Sequence, residues 1–179
     1  MKPHHLSSPL FTAEQIKSRV ASLATDIAVN ETREITLIGL LHGSFILMAD
    51  LARELADWQD QQLRFDFMTL QSYVSDTQSS GQVRVKGTPC CCVRDRDVWI
   101  IDDILDTGHT LSFAQQYLLQ AGARSVRSCV LLNKPQRRVA NIEADLVGFT
   151  ISDQFVVGYG LDYDGRYREL PHICEVVFE

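Results

Sequence analysis

Apolar residues cluster along the chain in short, nearly continuous runs separated by segments in which they recur at helical spacing. Residues 35–41, 98–101 and 125–132 are rich in Ile, Val and Leu, the character of strands covered on both faces, and Leu146–Thr150 is a fourth candidate. Residues 63–70 alternate, with Leu63, Phe65, Phe67 and Thr69 on one side, which predicts a further strand. Thr12, followed three residues on by Gln15, has capping-box form, and Ile16, Val20, Leu23 and Ile27 follow at helical spacing. A second helical pattern, over 45–58, runs through Met48, Leu51, Ala52 and Leu55, and a third, over 110–121, is stopped by Gly122. The chain before Thr12 reads as a loose start. Residues 82–86 and 91–93 read as a strand pair around Gly87-Thr88-Pro89.

Strands alternating with helices predict an α/β fold, a mostly parallel twisted sheet flanked by helices on both faces. No repeat or linker divides the 179 residues, so a single domain over 1–179 is expected. Residues 72–82, rich in Ser, Gly and Gln, have almost no apolar anchors and read as a long loop, either an idle excursion or a lid. In such sheets ligands sit beyond the carboxyl ends of the strands, where the chemistry should be sought.

Charge narrows the function. Seventeen basic against twenty-three acidic residues give −6, which argues against nonspecific nucleic-acid binding, since that needs a basic face. No apolar run reaches the ~18–20 residues of a membrane span, and the first residues, Met1-Lys2-Pro3-His4-His5, lack an apolar signal core, so a cytoplasmic protein is expected. Of five cysteines, Cys90, Cys91 and Cys92 are consecutive, which is not the spacing of a zinc clamp; reduced thiols alternating along a strand are expected.

The informative segment is Val98-Trp99-Ile100-Ile101-Asp102-Asp103-Ile104-Leu105-Asp106-Thr107-Gly108-His109-Thr110-Leu111. A buried strand delivers two adjacent carboxylates, expected to point to opposite sides, and a turn then carries a third onto a helix N-terminus. Free N–H groups, two hydroxyls and the helix dipole make a phosphate cradle there, and Gly108 lets the backbone approach closely. Neither the Walker A spacing nor the dinucleotide glycine fingerprint is present. Carboxylates followed by a phosphate cradle suit a sugar phosphate. The combination resembles the phosphoribosyl-diphosphate signature of the type I phosphoribosyltransferases.

The resemblance extends over most of the chain and narrows to the hypoxanthine-guanine phosphoribosyltransferases. Leu41-His42-Gly43-Ser44-Phe45 is similar to that family's diphosphate loop, Ser72-Tyr73 to its closing lid, and Leu132-Asn133-Lys134-Pro135 to its purine-reading lysine segment. The run from Phe155 through Val156, Val157, Gly158, Tyr159, Gly160, Leu161 and Asp162 to Tyr163, followed by Arg166-Tyr167-Arg168, resembles its C-terminal hood, about 152–179.

The resemblance implies transfer of a 5-phosphoribosyl group from its 1-diphosphate to hypoxanthine or guanine, giving IMP or GMP and diphosphate in purine salvage. It implies Asp106 as general acid/base at the purine N7 proton, and Thr107, Gly108, His109 and Thr110, with the Asp106 amide, around the 5′-phosphate. Asp102 and Asp103 would contact the ribose hydroxyls. Lys134 would meet the 6-oxo oxygen, Phe155 would stack on the base, and the Val156 backbone would read its edge. Asp162 is expected both among the purine-binding residues and as the Mg²⁺ ligand, with Asp102 or Asp103 a further metal candidate, and Arg168 would join His42 and Gly43 on the diphosphate. A homodimer or homotetramer is implied. His42 departs from the Lys or Arg usual in the family, and Gly87-Thr88-Pro89-Cys90-Cys91-Cys92 stands where the resemblance implies an acidic, cysteine-free connection. Two rivals are a phosphoribosyl-diphosphate-sensing RNA-binding regulator and a xanthine-preferring enzyme.

Overall fold

A computed structural model of the chain describes residues 2–30, 34–56, 58, 62–75, 78–89 and 91–179, the backbone alone over 71–75 and 78–84. In chain order the strands are β1 (His4–Phe11), β2 (Glu34–Leu41), β3 (Gln62–Ser75), β4 (Gln78–Gly87), β5 (Asp97–Leu105), β6 (Ser125–Asn133), β7 (Leu146–Thr150), β8 (Val156–Val157) and β9 (Ile173–Phe178). The helices are α1 (Ala13–Val29), α2 (Phe45–Leu55) and α3 (His109–Gln120). The main sheet has the order β4-β3-β2-β5-β6-β7, with every pairing parallel except β3 with β4.

The predicted signals act as expected at several ends. At the α1 N-cap, Gln15 N–H donates to Thr12 Oγ1 at 3.3 Å and Thr12 N–H donates to Gln15 Oε1 at 2.8 Å, satisfying two otherwise orphaned donors. Helix α3 ends at Gly122, whose φ of 98° takes the left-handed turn a side chain would resist. The central strands are buried on both faces: Leu37, Trp99 and Ile101 pack toward α1 and α2, and Ile38, Val98 and Ile100 toward α3. That double burial selects the unbroken apolar runs seen in the sequence.

Three expectations are corrected. The loose start is strand β1, paired antiparallel with β9 from the opposite end of the chain. Its apolar content is too low to announce it, because a distant partner satisfies its backbone. Residues read as the 72–82 loop lie, apart from 76–77, which fall outside the described residues, on a long β3–β4 hairpin, with Ser72 opposite Val83 and Val74 opposite Ser79. Edge pairing makes a strand there without apolar anchors. The partner of residues 82–86 is therefore β3 and not 91–93; Cys91 lies on a bend, its N–H donating to Asp66 Oδ2 at 2.8 Å, Cys92 is exposed, and Cys90 lies outside the described residues.

A second sheet, β1-β9-β8, makes the C-terminal hood over the main sheet's carboxyl end. It therefore includes the N-terminal strand as well as the chain's last residues. No helix among the described residues is long and apolar enough to cross a membrane.

Candidate active site

Strands β2 and β5 are neighbours whose last parallel pair is Gly39 with Ile101. Beyond it the two chains diverge, β2 into the His42–Ser44 turn and α2, β5 into the 106–108 turn and α3. Between them lies a cavity of about 350 Å³ lined by His42, Gly43, Asp102, Asp103, Asp106, Thr107, Gly108 and Thr110 among others. His109 does not border it. Gly108 is the N-cap of α3 with φ 88°, and a Cβ there would stand 2.8 Å from Ile142 Cγ2. The turn is braced from outside: Val139 and Ala140 N–H both donate to Thr107 O at 3.0 Å, and the Arg138 guanidinium donates to Asp106 O and, at 2.5 Å, to Asn133 Oδ1. A helix N-terminus beside a small polar cavity is suited to an anion.

Asp102 and Asp103 both border this cavity, so the expected opposition of the two side chains holds only in part; Asp103 alone reaches a second cavity as well. Each accepts from the next amide, Asp103 N–H to Asp102 Oδ1 at 3.0 Å and Ile104 N–H to Asp103 Oδ1 at 2.9 Å. Burial, with Asp103 beside it, pushes the Asp102 carboxyl up, and burial raises that of Asp103, against which Arg168 acts at a distance. Among the described residues no basic side chain forms an ion pair with either. Two buried, neighbouring carboxylates call for a positive counterpart.

The second cavity, about 560 Å³, shares Asp103, Ile104 and Asp106 with the first and adds Lys134, Arg137, Asp153, Phe155, Val156 and Asp162. Lys134 is 7% exposed, its ammonium donates to Gln154 O, and burial draws its pKa down. Phe155 is 45% exposed, with Tyr163 perpendicular to it at 5.5 Å and Phe178 tilted against it at 5.9 Å between ring centres. Asp162 Oδ1 meets an Arg168 guanidinium nitrogen at 2.6 Å while its Oδ2 accepts from Gly165 N–H at 2.7 Å. Arg168 also donates to Gly160 O at 2.5 Å and borders neither cavity. Ser72 and Tyr73 lie where the backbone alone is described.

Sequence reasoning missed Arg137, whose Nε lies 3.1 Å from Asp106 Oδ1 without hydrogen-bond alignment, and whose other end faces Asp153 at 3.5 Å. The basic pair Arg137-Arg138 after Lys134-Pro135 was the available signal.

Residues 8–164 match the model of the phosphoribosyl transferase domain. The chain is 42% identical over 179 residues to the hypoxanthine-guanine phosphoribosyltransferase of Mycobacterium tuberculosis (strain ATCC 25618 / H37Rv), covering 96% of this chain and 86% of that protein. It belongs to the hypoxanthine-guanine branch of the phosphoribosyltransferases. It is likewise 39% identical over 176 residues to the hypoxanthine phosphoribosyltransferase of Escherichia coli (strain K12), covering 97% of each chain. A crystal structure of a hypoxanthine-guanine phosphoribosyltransferase from Bacillus anthracis superposes with TM-score 0.90 at 34% identity, over 97% of this chain and all of that one. The type I phosphoribosyltransferase fold therefore accounts for both the main sheet and the hood.

Proposed function

We propose that this phosphoribosyltransferase serves purine salvage, transferring 5-phosphoribosyl from its 1-diphosphate to hypoxanthine or guanine and releasing diphosphate with IMP or GMP. The observation that carries the reading is that Asp106 borders both cavities at once. One is rimmed by carboxylates at a helix N-terminus, where a phosphate would fit; the other has a buried cation and a half-exposed aromatic ring.

The 5′-phosphate would sit on the amides and hydroxyls of residues 106–110, His109 contributing through its place at the helix start. Asp102 and Asp103 would hold the ribose hydroxyls, and His42 and Gly43 the diphosphate. Lys134 would donate to the 6-oxo oxygen, leaving Gln154 O, and Phe155 would cover one face of the base. In the transfer the bond from C1′ to diphosphate oxygen breaks as the bond to the purine nitrogen forms. Asp106 would take up the purine N7 proton. Arg137 stands beside it, Nε 3.1 Å from Oδ1. Asp162 and Asp103, which border the same cavity, would be the carboxylates to hold Mg²⁺, which needs only one or two when substrate phosphates complete its shell. Bound there, the metal would offset charge on the departing diphosphate. Arg168, engaged with Asp162, would reach the diphosphate by exchanging that partner. Closure of the hairpin around Ser72 and Tyr73 would exclude water. A homodimer or homotetramer in the cytoplasm is the accompanying expectation.

The test is an assay with 5-phosphoribosyl 1-diphosphate and Mg²⁺ offering hypoxanthine, guanine, xanthine, adenine and uracil in parallel. Turnover of hypoxanthine or guanine that falls about 10²–10⁴-fold in Asp106→Asn is expected. Sugar-diphosphate binding with no turnover of any base would overturn it.

A further inference from the structure

The catalytic reading leaves unused a partly buried hydrogen bond between the hood and α2. Tyr159, 6% exposed and at φ 50°, donates its hydroxyl to Asp50 Oδ2 at 2.6 Å, across a separation of 109 residues. The other Asp50 oxygen meets an Arg53 guanidinium nitrogen at 2.5 Å. Burial first, and then the Asp50 carboxylate, hold the Tyr159 phenol far above its ordinary pKa, so it stays a donor.

Both ends of this bond lead to groups that the proposed function assigns to diphosphate. Helix α2 continues directly from the His42-Gly43 turn, with Ser44 N–H and hydroxyl both bonded to Leu40 O, at 3.4 and 2.6 Å, and Met48 N–H bonded to Ser44 O at 2.8 Å, so turn and helix form one unit. On the hood side the next residue, Gly160, lies so close to that turn that a Cβ on it would be 2.1 Å from Gly43 O. Gly160 also ties to Arg168 in both directions, its N–H donating to Arg168 O at 3.0 Å and its carbonyl accepting from the Arg168 guanidinium. Arg168 in turn holds Asp162. The purine-facing residues are fixed separately: Val156 pairs with Glu175, Val176 N–H donates to Phe155 O at 2.7 Å, and Lys134 bonds Gln154 O.

We propose that Tyr159 and Asp50 are positioning residues that, through Gly160, set the hood's Arg168 in register with the His42-Gly43 turn, and so govern affinity for the diphosphate end of the sugar substrate but not for the purine. The proposal rests on the diphosphate assignment above, which must therefore be tested beside it.

The experiment compares wild type with Tyr159→Phe, Asp50→Ala, Asp50→Asn and Gly43→Ala. It measures calorimetric affinity for Mg²⁺-diphosphate and for IMP, and KM for both substrates. Tyr159→Phe and Asp50→Ala should weaken diphosphate and raise the sugar-diphosphate KM by about tenfold, the scale of one hydrogen bond to a charged group. IMP affinity and hypoxanthine KM should stay within about twofold. Asp50→Asn, which keeps an acceptor oxygen for the phenol, should stay near wild type. Because Asp50 is partly exposed, its alanine variant keeps the test open if Tyr159→Phe fails to fold. Unchanged diphosphate affinity in Tyr159→Phe and Asp50→Ala, or an equal loss of IMP affinity, would overturn the positioning role while Gly43→Ala still abolishes diphosphate binding. Intact diphosphate binding in Gly43→Ala would instead remove the assignment itself, and the proposal with it.

Discussion

A Cβ placed on Gly43 would stand 1.6 Å from Oδ2 of Asp103, closer than any non-bonded contact allows. The backbone of the β2–α2 turn therefore lies directly against the Asp103 carboxylate, with no room for a side chain on the turn. Gly43→Ala must displace either the turn or the Asp103 carboxylate. A stability loss of about 1–3 kcal/mol, the usual scale of overpacking, is expected in denaturant melts. Sugar-diphosphate affinity should fall with it, and a variant with wild-type affinity would remove the assignment of this turn to the diphosphate.

Asp102 makes the opposite prediction for stability. It is buried beside Asp103 with its carboxyl pKa pushed up, so its charge is a cost to the ligand-free protein. Asp102→Asn keeps an oxygen for the Asp103 amide and removes that charge. The free variant should melt higher, by roughly 2–4 °C for each kcal/mol relieved, while binding the sugar diphosphate more weakly. A lower melting temperature would mean that the carboxylate has a counterpart in the free protein.

Lys134 is the buried cation of the second cavity. Lys134→Met should raise the KM for hypoxanthine by about 10–100-fold, the range for a hydrogen bond to a charged donor, and leave the sugar-diphosphate KM unchanged. Steady-state kinetics with each substrate varied in turn distinguishes this from a general loss of fold, which would move both.

Asp97, far from the chemistry, supplies a pH prediction. Arg124, whose Nε donates to it at 3.1 Å, and then the Ser125 hydroxyl at 2.5 Å, lower its pKa to about 2 against burial that raises it. A carboxylate with a lowered folded-state pKa adds stability that is present above its unfolded value of 3.8 and is lost as pH falls through about 2. Asp97→Asn should therefore cost about 1 kcal/mol at pH 7, discounted for the exposure of Arg124, and the gap should close on acidification between those values. Chemical denaturation at pH 7 and at pH 2.5 would measure it.

The sequence by itself determined the parts of the fold that follow from local pattern. Strands β2, β5 and β6 had to be unbroken apolar runs because both faces are covered, α1 carried its own capping box, and Gly122 marked the end of α3. The Asp102–Thr110 segment was legible for the same reason: strand, turn, cradle and helix start are contiguous, so nothing distant is needed to assemble them. The tertiary structure alone decided what depends on residues far apart. Strand β1 exists because β9 pairs with it, and the β3–β4 hairpin forms by edge pairing where side chains give little signal. Asp103 against Gly43, Gly160 over Gly43, Tyr159 on Asp50 and Arg137 beside Asp106 are contacts between segments whose separation carries no period. Hydrophobic periodicity reports which face of an element is buried, but only the folded sheet brings together the residues that stand at the ends of different strands.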